Sequence, residues 1–153
     1  MLTEIKADLF RYVPQKYTFG NLLYGLRSQG FRYLFFRRLK YRYCKSRTLT
    51  FIFRFILKHY SNKFGFQIGG IIGQGFYIGH FGTIIVSNEA IIGENCNIAP
   101  GVTIGATRRG DHKGAPNIGN MVWIGTNAVI VGKIRIGDNV LIAPGSFVNF
   151  NVP

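Results

Sequence analysis

Isoleucine or valine occupies every sixth position through most of the second half of the chain. The longest series with this spacing consists of Ile118, Ile124, Ile130, Ile136, Ile142 and Val148. Two shorter series precede it, one from Val86 to Ile104 and one from Ile72 to Ile84. This period matches neither an α-helix nor an ordinary strand, whose side chains repeat every 3.6 and every two residues. It therefore predicts a β-solenoid, in which each hexad supplies a short strand and a turn and three hexads close one coil.

Hexapeptide repeats are known to wind in the left-handed sense. We therefore predict a mainly β fold, a left-handed parallel β-helix over residues 65–153, with glycines such as Gly125 and Gly137 at its corners. Residues 1–64 lack the repeat and are predicted to form an α-helical N-terminal domain. Helical spacing of apolar residues is found in residues 22–43 and 49–60, with no intervening proline.

Two irregularities interrupt the repeat. The series slips by two residues between Ile84 and Val86, shortly after His80, and such a slip predicts a bulge that aims a side chain. The step from Ile104 to Ile118 is fourteen residues, so residues 106–117 are predicted to form a loop inserted into a coil. Insertions on repeat scaffolds often build the binding face, although a solvated insertion without a role is the simpler alternative.

Positive charge is concentrated in the N-terminal part of the chain. Residues 1–66 contain fourteen Lys and Arg and only two acids, whereas the remainder contains five and four. Such a segment favours an anionic partner. Two interpretations stay open: helices that pack on the solenoid, or a basic and aromatic face in peripheral contact with an anionic membrane. No nucleic-acid-binding motif is found, so nucleic acid is not expected as a partner.

The N-terminal sequence MLTEIKADLF has early acids and no apolar core, so we expect no secretory signal and a cytoplasmic protein, which the membrane alternative would place at the inner membrane face. Candidate acid–base residues are few, because the chain has only three histidines, His59, His80 and His112. Neither these nor the two cysteines have metal-ligand spacing, so no metal is expected. His80 is the best candidate, because it interrupts a very apolar coil directly before the slip.

The sequence from Gly75 to Val152, including the motif GHFGTIIV around His80, closely resembles the serine acetyltransferase branch of the hexapeptide-repeat acyltransferases. The segments IKADLFRY, GFRYLFFRRL and LKHYSNKFGFQIG are similar to the helical part of polysaccharide-cluster members of that branch. The resemblance implies an enzyme, a homotrimer that binds acetyl-CoA as acyl donor between subunits. It also implies that His80 is the general base of direct acetyl transfer to an acceptor hydroxyl, a task that imidazole suits near neutral pH.

The resemblance also implies positions that bind acetyl-CoA. The small or extended-backbone residues expected along the pantetheine arm are Gly105, Ala106, Gly125, Thr126, Ala143 and Pro144. Lys133 and Arg135 are candidates for contacts with the CoA phosphates, because a cation suits that charge. The inserted loop supplies further candidates for substrate contacts, namely Arg108, Arg109, Asp111, His112 and Lys113.

Three departures from the serine enzymes concern the acceptor. The acid that orients the histidine falls on Gly65, the acid that precedes it falls on Gly79, and a second active-site histidine falls on Ala115. Without these carboxylates a serine ammonium would lose its counter-charges, unless Asp8 or the loop supplies one. We therefore expect a neutral acceptor, a sugar hydroxyl of a surface polysaccharide or its precursor. The alternatives are serine O-acetylation in cysteine biosynthesis and a non-catalytic or degenerate β-helix scaffold.

Overall fold

A computed structural model describes residues 2–153. The N-terminal part contains four helices, namely α1 (Leu2–Tyr12), α2 (Phe19–Gly25), α3 (Gln29–Arg42) and α4 (Arg47–Phe64). Thirteen short strands follow: β1 (Phe66–Ile68), β2 (Ile71–Ile72), β3 (Tyr77–Ile78), β4 (Ile84–Val86), β5 (Ile91–Ile92), β6 (Asn97–Ile98), β7 (Thr103–Gly105), β8 (Asn117–Ile118), β9 (Trp123–Ile124), β10 (Val129–Val131), β11 (Arg135–Ile136), β12 (Leu141–Ile142) and β13 (Phe147–Val148).

The strands form three parallel sheets that wind around one axis. Sheet A has the order β1-β4-β7-β10-β13, sheet B the order β2-β5-β8-β11, and sheet C the order β3-β6-β9-β12. Because each strand pairs with the strand three places later in the chain, consecutive strands lie on different faces of a triangular coil. We call the turns between the faces the A–B, B–C and C–A corners. The predicted parallel β-helix is confirmed.

The repeated aliphatic residues form the core of the coils. Ile78, Ile98, Ile124 and Ile142 follow one another in register through sheet C, and the other two sheets contain equivalent columns. These four side chains are buried. A six-residue step returns the chain to an inward position on the next face, so the period observed in the sequence is the spacing of the faces. Burial of these columns is the main stabilising contribution of the solenoid.

The slip in the period marks a longer C–A corner in the first coil. In register, Val86 is the counterpart of Ile104, and Ile78 is the counterpart of Ile98. The chain therefore takes eight residues (86 − 78) from sheet C to sheet A in the first coil, and six (104 − 98) in the second. The two additional residues lie in the turn that carries His80, as a bulge requires.

The inserted segment lies between β7 and β8, at the A–B corner of the third coil. An antiparallel bridge between Thr107 and Gly114 closes its base. The side chains of Arg108, Arg109 and Lys113 are exposed beyond this bridge. The segment therefore protrudes from the coil without disturbing the register of sheets A and B on either side.

The helical part differs from the two helices that the spacing of apolar residues predicts. The predicted helix over residues 22–43 is divided, because α2 ends at Gly25 and Ser28 precedes a new helix. Helix α4 is longer than predicted, with Ser46 accepting a hydrogen bond from the Leu49 N–H at its start and Gly65 in the left-handed region at its end. Helix α1 was not found by spacing, because its buried face includes charged residues.

The helices pack against the first coil and close the N-terminal end of the solenoid. Tyr33, Leu34, Leu57 and Phe64 belong to the same hydrophobic core as the repeated aliphatic residues. The simpler interpretation of the N-terminal segment, helices packed on the solenoid, is therefore correct for this face. Within residues 2–153, no helix combines the length and apolar character that crossing a membrane requires.

Candidate functional site

His80 lies in the lengthened C–A corner of the first coil, where its side chain is exposed. It faces a shallow depression of about 240 Å³. The residues that line the depression with His80 are Tyr77, Gly79, Asn97, Ile98, Ala99, Pro100, Trp123 and Thr126. A buried histidine within the coil would have excluded acid–base work on a substrate, and the exposed position permits it.

One wall of the depression is formed by outward-facing residues of sheet C. Tyr77 pairs with Asn97, and Asn97 pairs with Trp123, so their side chains follow one another along the outer face. Trp123 is half-exposed, at 39% of its full surface. The wall therefore offers two aromatic rings and one amide beside the imidazole.

Helix α1 holds the strand that leads to His80. The Tyr12 hydroxyl accepts a hydrogen bond from the Ile78 N–H at 2.8 Å and donates to the Ile78 carbonyl at 3.2 Å. Its ring contacts that of Tyr77, with 4.6 Å between the centroids. Burial raises the pKa of the Tyr12 hydroxyl well above its usual range, so it stays protonated and can donate. Tyr12 thus fixes the backbone two residues before His80.

Arg11, the neighbour of Tyr12 on α1, reaches the same wall. Its guanidinium donates to the carbonyls of Gly75 and Asn95, at 3.0 and 2.9 Å, and to the side-chain oxygen of Asn97. It also lies over the Tyr77 ring, 5.9 Å from the centroid. Arg11 therefore orients an amide and an aromatic ring that line the depression.

The positioning residues on α1 are not predicted by the apolar spacing of the sequence. Asp8, Arg11 and Tyr12 are spaced i, i+3 and i+4, which places them on one face of a helix, and all three contact the first coil. The same face carries the buried Ile5 and Leu9. The helix could have been predicted by counting polar and apolar residues together on one face. A search for apolar spacing alone does not find it.

Half of the positions predicted to bind acetyl-CoA lie at the His80 corner. Thr126 lines the depression, and Gly125 precedes it at the C–A corner of the third coil. Ala143 and Pro144 occupy the equivalent corner one coil later, and a Cβ on Gly125 would lie 2.6 Å from the Pro144 nitrogen. The glycine is therefore required for this close stacking of coils.

The other predicted positions lie at a different edge. Gly105, Ala106 and Lys133 are at the A–B corner with the inserted loop, and Arg135 follows there on β11. Within one chain the structure does not bring this group together with His80.

Two contacts tie the loop to neighbouring coils. The Lys133 N–H donates to the His112 carbonyl at 2.8 Å, and the exposed Arg108 is 3.3 Å from the carboxylate of Glu89. Asp111 lies at the exposed tip of the loop. Neither contact extends toward the depression around His80.

Among residues 2–153, no carboxylate lines the depression around His80. Asp8, considered above as a substitute acid, is buried and bound to Arg38, so it is not available. A Cβ on Gly79 would lie 3.2 Å from the Tyr77 ring, so the ring would have to shift by a few tenths of an ångström to admit a side chain. At Gly65 and Gly79, where the resemblance implies the acids of the serine enzymes, the chain has no carboxylate.

Gly65 is needed for packing as well as for its backbone conformation. We expect Gly65→Ala to destabilise the protein by about 2 kcal/mol, because its φ of 78° disfavours a Cβ that would also lie 3.0 Å from the Gly82 carbonyl. Gly110→Ala is the matched control, since its φ is also 78° and nothing lies within 4 Å of the added Cβ. Urea unfolding of both variants checks this, and equal losses would show that the contact with Gly82 has no cost.

Metal chemistry has no evident location in the described part of the chain. Residues 2–153 contain no group of three or more His, Cys, Asp or Glu side chains placed to hold a metal ion. Cys96 is buried and donates to the Gly119 carbonyl at 3.1 Å, and burial raises the pKa of its thiol. Its role is packing at a B–C corner.

Comparison with known proteins supports the resemblance. The profile of the bacterial transferase hexapeptide family (six repeats) matches residues 115–149. Serine acetyltransferase of Synechococcus elongatus is 40% identical over 56% of this chain and 35% of its own length. That of Helicobacter pylori is 33% identical over 72% of this chain and 62% of its own length.

Solved structures extend the match to the helices. Serine acetyltransferase of Neisseria gonorrhoeae in complex with serine superposes with a TM-score of 0.77 and 32% identity, over 99% of this chain and 63% of that one. The chain is similar to serine acetyltransferases over nearly its whole length, and its last coils match the hexapeptide-repeat transferases. The Brucella abortus enzyme in complex with coenzyme A gives a TM-score of 0.80 at 25% identity, over 99% of this chain and 62% of that one. These neighbours confirm the left-handed β-helix with N-terminal helices. The chain spans less than two thirds of the length of each relative named here.

Proposed function

We propose that this protein is an acetyl-CoA-dependent O-acetyltransferase with His80 as its general base. The observation that carries the proposal is the exposed imidazole of His80 in a corner lengthened by two residues, facing a depression of about 240 Å³. The serine acetyltransferase relatives, one of them solved with coenzyme A, support the same reaction. Acetyl-CoA would be a substrate, and no metal is required.

The proposed chemistry is a direct transfer. A ring nitrogen of His80 accepts the proton of the acceptor hydroxyl while the hydroxyl oxygen attacks the thioester carbonyl. The carbon–sulfur bond breaks as the tetrahedral intermediate collapses, and CoA leaves as a thiolate that the imidazolium can protonate. Backbone N–H groups of the stacked C–A corners are the candidates for stabilising the oxyanion. His80 starts and finishes the cycle neutral.

L-serine is the first candidate acceptor. The sequence departures favour a sugar hydroxyl, but the named relatives are serine acetyltransferases and one was solved with serine bound. The relatives therefore support serine more strongly than the glycan. A serine-binding site would need a carboxylate from outside the described depression to contact the ammonium group.

A sugar hydroxyl is the second candidate, on a specific observation. The lining residues of the depression include Tyr77 and Trp123 but no carboxylate among residues 2–153. Aromatic rings and an amide suit a neutral, hydroxyl-rich ring better than a zwitterion. The N-terminal segments resemble polysaccharide-cluster members of the branch, and that resemblance also predicts a sugar acceptor.

We propose a homotrimer in which the A–B corner of one subunit lies against the C–A corner of its neighbour. This arrangement would place Lys133 and the loop cations near His80 of the adjacent subunit, which a single chain does not do. We place the reaction in the cytoplasm, with acetyl-CoA as the donor. Sedimentation analysis checks the trimer, and a monomer that retains full activity would contradict it.

The acceptor is tested by following CoA release from acetyl-CoA with L-serine and with a panel of free and carrier-linked sugars. For L-serine as acceptor, we expect saturable turnover with serine and at least about tenfold lower kcat/KM with every sugar. Turnover with a sugar alone would reverse the assignment. Acetyl-CoA that binds without turnover on any acceptor would favour the degenerate scaffold.

A further inference from the structure

A groove between α3 and α4 has a volume of about 570 Å³. It lies on the helical part, and none of its lining residues belongs to the depression around His80. We call it the α3–α4 groove. Its lining residues include Lys40, Tyr41, Phe51, Arg54, Phe55 and Lys58. The reaction proposed above gives this groove no role.

The groove is strongly basic. Lys40, Arg54 and Lys58 line it, and no carboxylate is found among its described lining residues. The chain has no Asp or Glu at all between Leu9 and Asn88, so no acid on α3 or α4 can neutralise these cations. Within residues 2–153, neither the Arg54 side chain nor the Lys58 side chain has a hydrogen bond or an ion pair. Their charges are therefore available to an anion.

Other arginines of the segment are already used within the fold. Arg37 donates to the carbonyls of Gly69 and Gly70 at 3.0 and 2.7 Å, and Arg38 is bound to Asp8. The number of exposed, unpaired cations in the N-terminal segment is therefore smaller than its net charge suggests. The exposed cations are concentrated on α4 and at the end of α3.

Exposed aromatic rings stand beside these cations. Phe51 and Phe55 are 71% and 73% exposed, and they lie one helical turn apart on α4. Ile52, at 45%, extends the apolar surface. Helix α4 therefore exposes two phenylalanines to water beside Arg54 and Lys58. This pattern is typical of a helix that lies in a membrane interface, where aromatic rings enter the acyl boundary and cations contact phosphates.

We propose that the α3–α4 groove docks the protein on an anionic phospholipid bilayer, with Phe51 and Phe55 entering the interface and Lys40, Arg54 and Lys58 contacting lipid phosphates. The contact is peripheral and leaves the His80 corner free. This inference goes beyond the acetyltransferase proposal and does not depend on it. A soluble anion lacks the apolar part that the phenylalanines require, so the bilayer is the better fit to both features.

The test is co-sedimentation of the full chain with vesicles of phosphatidylcholine alone and with about 30% phosphatidylglycerol, at about 0.1 M salt. We expect binding only to the anionic vesicles. Because each basic residue near an anionic surface contributes roughly fivefold, Arg54→Gln with Lys58→Gln should weaken binding about 25-fold. Phe51→Ala with Phe55→Ala should weaken it about tenfold or more.

Matched controls distinguish vesicle binding through the groove from non-specific binding by other charged or apolar surfaces. Lys16→Gln with Arg27→Gln removes the same charge from exposed positions outside the groove, and Phe150→Ala removes an exposed ring from the solenoid. Both should bind vesicles within about threefold of the parent.

Three outcomes would overturn the proposal. One is equal loss of binding in the control variants, and a second is binding of inorganic phosphate with no preference for anionic vesicles. The third is a change of oligomeric mass on substitution of Phe51 and Phe55, which would assign the groove to a second copy of the chain. Thermal unfolding verifies that each variant is folded.

Discussion

His80→Ala is expected to lower kcat/KM for acetyl transfer by about 10²- to 10⁴-fold, the usual contribution of a general base. The imidazole is exposed at the C–A corner, so its removal should change the free energy of unfolding by less than about 0.5 kcal/mol. CoA release from acetyl-CoA with the active acceptor measures the rate. Calorimetric titration of CoA measures whether donor binding is retained.

The matched control is His59→Ala, which removes an exposed imidazole from α4, where the ring packs edge-on against Tyr60. We expect this variant to keep its rate within about twofold of the parent. His80→Asn tests whether shape alone suffices, and it should be as inactive as the alanine variant. A His80→Ala enzyme within about threefold of the parent would show that another group removes the hydroxyl proton.

Much of the fold could be predicted from the repeat period, because contacts in a solenoid join residues that are close in sequence. Ile124 and Ile142 pair across one coil, and this pairing follows from counting three hexads. The same counting located the loop and the lengthened corner, since any departure from six must leave the coil. His80 was singled out for this reason, and the structure places it in an exposed depression.

The predicted acetyl-CoA positions fall into two groups, and the hexad count already places these groups at different corners of the coil. His80 follows a strand of sheet C, whereas Gly105 ends a strand of sheet A, so the loop must leave from a different corner. The resemblance implies that both groups bind acetyl-CoA between subunits. The two groups are separated within one chain because they lie at different corners of the triangular coil, and the proposed homotrimer would join them across a subunit boundary.

The buried arginines could not be recognised from composition. Arg38 belongs to a basic segment that resembles a solvated surface, yet its partner Asp8 is thirty residues away on another helix. The Phe76 N–H that also binds Asp8 is sixty-eight residues away. Neither contact has a period, so only the folded chain shows which cations are internal.

Asp8→Asn is expected to destabilise the protein by about 3–5 kcal/mol, because it leaves the buried guanidinium of Arg38 without its counter-charge. Two atoms of Arg38 donate to the carboxylate, at 2.8 and 3.2 Å, and the group also donates to the carbonyls of Ile72 and Gly73. Burial raises the pKa of Asp8, and the bonds from Arg38 and the Phe76 N–H oppose that rise. The pair thus fastens α1 and α3 to the first coil at a cost in desolvation.

The loss of stability on removing both charges should be smaller than the two single losses together. Asp8→Asn with Arg38→Met is expected to lose less stability than the sum of the two single variants, because no unpaired charge is then buried. The exposed pair of Arg108 and Glu89, 80% and 51% accessible, is the matched control, and breaking it should cost no more than about 1 kcal/mol. Urea unfolding at one protein concentration measures the two single variants, the double variant and the control. Strictly additive losses would show that Asp8 and Arg38 act separately, and that the helices are held on the coil by the apolar contacts of Leu34 and Phe64 instead.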